Sequence, residues 1–218
     1  MSIPADSTTR RRNRRGQGQL LRTELLDAAL RVLEDPEHEG RLSIRAVASE
    51  AGVAPQSVYL QFPDASALRW AAFTRLFDVL AVHLDTATRA ANDARGALDA
   101  WAAAYVGFAL QNPARYQAMF SAVGEHHPGL DVDQLPGSAV FAGLRRRLLD
   151  VMGRRRRSTV DPLSVTICLW AGLHGLASLR ISKPSFPWPP LESLVAETID
   201  AHVGARPRQP ALSTSDRP

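Results

Sequence analysis

The sequence predicts an all-α protein of about nine helices. Three observations carry this. Apolar residues recur at the helical period through most of the 218 residues, with a hydrophobic fraction of 45% that suffices for a packed core. Proline, glycine and N-capping residues divide these stripes into helix-length pieces. Nowhere does an apolar/polar alternation of strand type or an internal repeat occur. The pattern divides the chain into a basic arm (1–19), an N-terminal three-helix unit (20–66), a larger helical unit (67–205) and a polar tail (206–218).

The first helix begins at Leu20, with Leu21, Leu25, Ala28, Ala29, Val32 and Leu33 on one stripe, and "EDPEHEG" breaks it. Ser43 N-caps a second helix whose face is Ile44, Val47, Ala48 and Ala51, and Gly52 ends it as a residue able to take positive φ. Pro55 opens a short third helix, which Pro63 closes by restricting Phe62. A fourth runs from Ala65 to about Ala90 through Leu68, Ala72, Leu76, Leu80 and Leu84. Residues 94–111 and 113–124 follow, separated by Asn112-Pro113, then 138–152. Asp161-Pro162 caps and starts a long helix to about Ile181. "SKPSFPWPP" is a proline-rich connector, and 191–203 is the last helix.

Charge is placed unevenly. Residues 1–22 hold six arginines against Asp6 alone, so they carry +5 of a net +4 and the remainder is −1. An arm with Arg11, Arg12, Arg14 and Arg15 suits a polyanion, because each neutralised phosphate releases counterions; a solvated tail is the alternative. The single cysteine, Cys168, precludes an intramolecular disulfide and fits a reducing cytoplasm. It is expected to be buried and inert in its apolar helix. The arginine-rich start lacks the apolar stretch of a secretory signal, and the runs of apolar residues fall short of the ~20 needed to span a bilayer. Abundant Arg and Ala with Lys183 as the one lysine suggest a GC-rich bacterial genome.

The turn around Gly52 joins two short helices in helix-turn-helix geometry. Val47, Ala48, Val53 and Val58 can close its apolar corner, which leaves Pro55, Gln56, Ser57, Tyr59, Leu60 and Gln61 outward. Gln56 can pair bidentately with adenine and Ser57 can reach a base edge or a phosphate, while Tyr59 and Gln61 suit phosphate oxygens. Residues 22–73, "RTELLDAALRVLEDPEHEGRLSIRAVASEAGVAPQSVYLQFPDASALRWAAF", resemble the DNA-binding region of the TetR (tetracycline-repressor) family. The shared features are the Ser-x-Arg-x-Val-Ala start of the second helix, the Ala-Gly-Val turn and the Tyr-x-x-Phe-Pro-Asp ending. The resemblance implies a homodimeric regulator of a pseudo-palindromic DNA operator, a repressor released by a small-molecule effector, with Ser43, Arg45, Gln56, Ser57, Tyr59 and Gln61 as contacts. A DNA-binding architectural protein or activator without such a ligand is the alternative. The chain departs from the family at Ala54, often Ser, at Gln61, often His, and at Ala65, often a phosphate-binding lysine; the arginine arm is expected to compensate.

"NPARYQAMF" (112–120) and "LWAGLHGLASL" (169–179) resemble the C-terminal domain of a TetR subgroup named for Trp-His-Gly, with Trp170, His174 and Gly175 in the matching places. Trp170 and His174 share a helix face. With Trp101, Tyr105, Phe108, Tyr116, Met119 and Phe120 they either line a cavity for an apolar or aromatic effector or pack the core or a dimer seam. The resemblance places dimerisation on the helices near 162–181 and 191–203. Gly172 and Gly175 inside a helix suggest close approach by another helix. Glu125, His126, His127, Asp131 and Asp133 match no metal-ligand spacing, so no metal is expected. Arg154 to Arg157 read as a solvated helix end, or as a second DNA-facing patch. Enzyme motifs are missing, as are cofactor fingerprints, so neither catalysis nor a cofactor is expected. The expected location is the bacterial cytoplasm, on the nucleoid when DNA is bound.

Overall fold

The structure is a computed structural model that describes residues 17–38, 41–121, 134–153 and 161–204. Nine α-helices and no strand occur among them: α1 (Gln17–Glu34), α2 (Ile44–Glu50), α3 (Pro55–Tyr59), α4 (Ala65–Ala87), α5 (Ala94–Gln111), α6 (Pro113–Ser121), α7 (Ser138–Met152), α8 (Pro162–Ser182) and α9 (Leu191–Val203). A 3-10 turn, Pro36–His38, follows α1. Helix α1 begins three residues before Leu20, and α4 stops short of Ala90, since a turn at Ala87–Ala90 precedes the N-cap Asp93. The arm with Arg11, Arg12, Arg14 and Arg15, the Glu125–Asp133 loop and Arg154 to Arg157 lie outside the described residues.

The chain forms two compact units, residues 1–75 and 76–218. In the first, Leu25, Ala28, Ala29, Val32 and Leu33 of α1 are buried, as are Val47 and Ala48 of α2, Val58 of α3, and Phe62, Leu68 and Ala72 beyond it. α1 packs on α2, and α2 on α3. The α2–α3 corner is fixed by backbone bonds. Val53 N–H donates to Ala48 O at 2.9 Å and Gly52 N–H to Ser49 O at 3.1 Å. This paired closure of a helix end requires a left-handed residue, supplied by Gly52 at φ +65°. The N-cap at Ser43 also forms, its Oγ accepting from Ala46 N–H at 3.1 Å. Ala54 offers α3 no side-chain cap, but Pro55 at its first position removes one orphan N–H of the helix start, and Ser57 N–H closes onto Ala54 O at 2.8 Å.

In the second unit α5 is central, packing against α6, α7, α8 and α9. Trp101, Ala102, Tyr105 and Ala109 of α5, Leu144 and Leu148 of α7, Leu169, Leu173 and Ala177 of α8, and Val195 and Ile199 of α9 form the core. Arg147 is buried within it, and its guanidinium donates to Gly143 O (3.0 Å), Asp85 (2.8 Å) and Thr88 Oγ1 (2.9 Å). Arg95 joins α5 to the end of α9 by donating to Asp99 (2.8 Å), Gly204 O (2.9 Å) and Asp200. Burial disfavours its charge, but the two carboxylates outweigh that and hold its pKa above the ordinary value. Asp161 caps α8, accepting from Ser164 N–H at 3.0 Å and Leu163 N–H at 3.2 Å.

By length and composition helix α8 could cross a membrane, a test that the core helix of a soluble protein also passes. The same helix corrects one expectation. Cys168 is exposed, not buried. It shares an outer face with Leu163, Ile167 and Ala171, and Leu163 and Ile167 are 44% and 47% exposed. The two internal glycines differ. A Cβ on Gly172 would lie 2.9 Å from Thr198 of α9, so the close approach exists there, whereas Gly175 faces open space in the protomer.

Candidate DNA-reading helix and aromatic cluster

Helix α3 presents Pro55, Gln56, Tyr59 and Leu60 to solvent, with Tyr59 50% and Leu60 71% exposed. Ser43 and Arg45 are exposed at the start of α2. Ser57 departs from expectation: only 7% of its surface is accessible. In a five-residue helix it stands next to the fully buried Val58, on the side turned into the unit, and its N–H closes the first turn onto Ala54 O at 2.8 Å. The exposed side of α3 and its C-cap is therefore Pro55, Gln56, Tyr59 and Leu60, without Ser57. Gln61 is half-buried, its amide beside the start of α1 and 3.9 Å from where a Cβ on Gly18 would sit.

Sequence reasoning treated Arg22 only as arm charge. It donates to Gln61 O at 2.9 Å, and its guanidinium lies 4.3 Å from the Phe62 ring centre. Helix α1 thereby holds the chain just after α3 through a cation–π contact and a charge-assisted bond. The local sequence around Arg22 carries no signal of this, because its partners lie 39 and 40 residues on.

In the second unit the eight residues singled out as possible ligand contacts divide. Trp101, Tyr105, Phe108, Tyr116 and Met119 are core, none more than 5% exposed. Phe120, Trp170 and His174 are half-buried. Trp101 stacks on Tyr105 with 5.5 Å between centroids. Four of the polar tips form one chain. Trp170 Nε1–H donates to Tyr105 OH at 3.1 Å, Tyr105 and Tyr116 hydroxyls are 3.0 Å apart, and Tyr116 OH is 2.7 Å from His174 Nδ1. Phe108 stands aside, against His83 at 5.5 Å. Burial raises the pKa of both tyrosines, so they remain phenols, and burial lowers that of His174, so it is neutral at pH 7.

Burial of neutral His174 makes stability depend on pH. Its folded pKa lies below the unfolded value of about 6.5, so the unfolded chain takes up a proton first as pH falls. Its contribution to stability is complete above that pH and is lost as pH falls through the folded pKa. Urea denaturation between pH 8 and pH 5 should show a steeper acid loss for the wild type than for His174→Asn, which has no titrating group there.

Among the described residues no group of three or more His, Cys, Asp or Glu could hold a metal ion. A short corner presenting an exposed helix, followed in the chain by a larger all-α unit with an internal aromatic cluster, is the arrangement of a helix-turn-helix regulator fold. Residues 98–203 match the family described as tetracyclin repressor-like, C-terminal domain. The second unit is thus tetracyclin repressor-like over residues 98–203, and the chain has the fold of TetR-family regulators. A protein of unknown function from Rhodococcus sp. RHA1 is 26% identical, with 90% of this chain and 97% of that one covered at a TM-score of 0.68. The regulator FadR of Bacillus subtilis, solved with stearoyl-CoA, shares the fold at 13% identity and TM-score 0.64, covering 84% and 99%. A TetR-family regulator from Haemophilus influenzae RD does so at 17% and 0.59, covering 84% and 97%. Comparison with curated proteins by sequence found no match.

Proposed function

We propose that the protein is a transcriptional repressor that binds a pseudo-palindromic operator as a homodimer and is released by an apolar or aromatic small molecule in a bacterial cytoplasm. The observation that carries this reading is the α2–α3 corner, locked at Gly52, with Gln56, Tyr59 and Leu60 exposed on α3. Gln56 reads adenine, Leu60 meets a thymine methyl, and Ser43, Arg45, Tyr59 and Gln61 engage the backbone. Ligand entry repacks side chains around the buried Leu76, Leu80 and Leu84 of α4 and shifts the two reading helices from the ~34 Å spacing of half-sites. Ligand and DNA affinities are then reciprocally linked. Fluorescence anisotropy on a selected operator, with and without compounds from a release screen, tests this; an operator complex that no bound compound weakens overturns the induction step.

The homodimer seam is assigned to α8 and α9. The exposed Leu163 and Ile167, and the open space at Gly175, suit a second copy. Ile167→Glu should convert dimer to monomer at micromolar concentration by sedimentation velocity and abolish operator binding. A persistent dimer would move the seam elsewhere.

Arg11, Arg12, Arg14 and Arg15 supply the phosphate contacts that Ala65 forgoes. Deletion of residues 1–15 should weaken operator binding and lower the log–log salt slope, by roughly 0.9 for each phosphate no longer neutralised. Unchanged affinity and slope would remove the arm from the interface. A second reading, a DNA-binding architectural protein or activator without a ligand, is favoured by the full burial of Trp101, Tyr105 and Tyr116 against one another.

A further inference from the structure

The chain from Trp170 to His174 has a direction. Indole N–H can only donate, so Tyr105 OH accepts from Trp170. Tyr105 is fully buried, and its own proton has one partner there, Tyr116 OH. Were Tyr116 to donate to Tyr105 instead, that proton would be left unpaired in the core. Tyr116 therefore accepts from Tyr105, and also from Ser178, whose hydrogen bond lowers the Tyr116 pKa as a donor's does. That leaves His174 Nδ1, at 2.7 Å, as the acceptor of the Tyr116 proton. A neutral imidazole accepting at Nδ1 carries its proton on Nε2. Among the described residues that N–H has only Ser178 Oγ near it, at 3.4 Å, a long and weak bond.

The core thus fixes the tautomer of a half-buried side chain and leaves it an under-used donor. Among the described residues the groups touching His174 are Tyr116, Phe120, Trp170 and Ser178, all without formal charge. Phe120 stands edge to face with the imidazole at 4.4 Å, and Phe120 and Trp170 are themselves half-buried. A carboxylate here would lose hydration with one N–H and no cation to replace it, and an ammonium would meet a donor. Resting on the reading of this unit as the small-molecule site, we propose that His174 Nε2–H recognises the carbonyl oxygen of an uncharged apolar ligand, such as a ketone, ester or lactone, whose apolar body lies against Phe120 and Trp170.

The test has two parts on the full-length protein. Nitrogen-15 spectra of histidine-labelled protein, assigned by comparison with His174→Asn, should show His174 protonated at Nε2 alone; a protonated Nδ1 overturns the inferred direction of the chain. Three probes of one shape are then titrated: 2-acetylnaphthalene, 2-ethylnaphthalene and 2-naphthoate. The ketone should bind roughly five- to tenfold more tightly than the alkyl compound, the worth of one net hydrogen bond, and more tightly than the carboxylate. His174→Asn should remove that preference, and His174→Gln, whose amide reaches farther, should restore part of it. Equal binding of ketone and alkyl probes, tightest binding of naphthoate, or no binding of any probe overturns the inference. DNA binding is followed in parallel. Intact operator binding without ketone preference defeats this inference alone, whereas ketone preference without DNA binding defeats the regulator reading and leaves the subsite standing.

Discussion

Gln56→Ala should reduce affinity for the selected operator roughly 10- to 100-fold, corresponding to about 1–3 kcal/mol for a bidentate base contact. The loss should fall on one position of each half-site, where the variant would tolerate all four bases, and the salt slope should stay unchanged because every phosphate partner is kept. Tyr59→Phe provides the contrast. On the proposed reading its hydroxyl meets phosphate, so the loss should be smaller and uniform across sequences. Gln56 is exposed on α3, and the corner that carries it is closed by backbone bonds from Gly52 and Val53, so neither substitution should alter folding. Binding isotherms against a panel of single-base operator variants distinguish the two patterns. A uniform loss for Gln56→Ala would demote it to a backbone contact.

Tyr116→Phe should produce the largest stability effect among single-oxygen deletions, about 2–4 kcal/mol at pH 7.5. It orphans the fully buried Tyr105 proton and the Nδ1 acceptor of His174 together, and each unsatisfied group costs about 1–3 kcal/mol, the lower figure applying to half-buried His174. Adding Tyr105→Phe to Tyr116→Phe removes the orphaned proton, so the double variant should lose less than the sum of the two single losses. Urea denaturation read by tryptophan fluorescence measures this, since Trp101 and Trp170 lie in the cluster. Strict additivity would mean that the hydroxyls do not form one chain.

What the sequence disclosed and what it withheld follow from the range of the interactions. The Gly52 turn, the Ser43 and Asp161 caps and the proline starts of α3 and α8 are set within four or five residues, so their chemistry stands in the local sequence. Ser57 went wrong because a helix of five residues is too short for its period to separate the inner from the outer face. Cys168 went wrong because α8 is apolar nearly all round, and composition cannot say which face another helix covers. His174 shares a face with Trp170, as the spacing predicts, with ring centroids 6.3 Å apart, but its hydrogen-bond partner Tyr116 is 58 residues away, and Arg147 finds Asp85 across 62. Such long-range pairings depend on how α6 meets α8 and α7 meets the end of α4, and no local pattern encodes them.

The central claim is that α3 reads DNA in a two-fold pair. Its most direct measurement is sequencing of the fragments that full-length protein retains from random duplex DNA. The expected result is one enriched pseudo-palindrome whose half-site centres lie about one helical turn, ~34 Å, apart, with two chains bound per site. Retention without any enriched sequence, or enrichment of a single unpaired half-site, would contradict it.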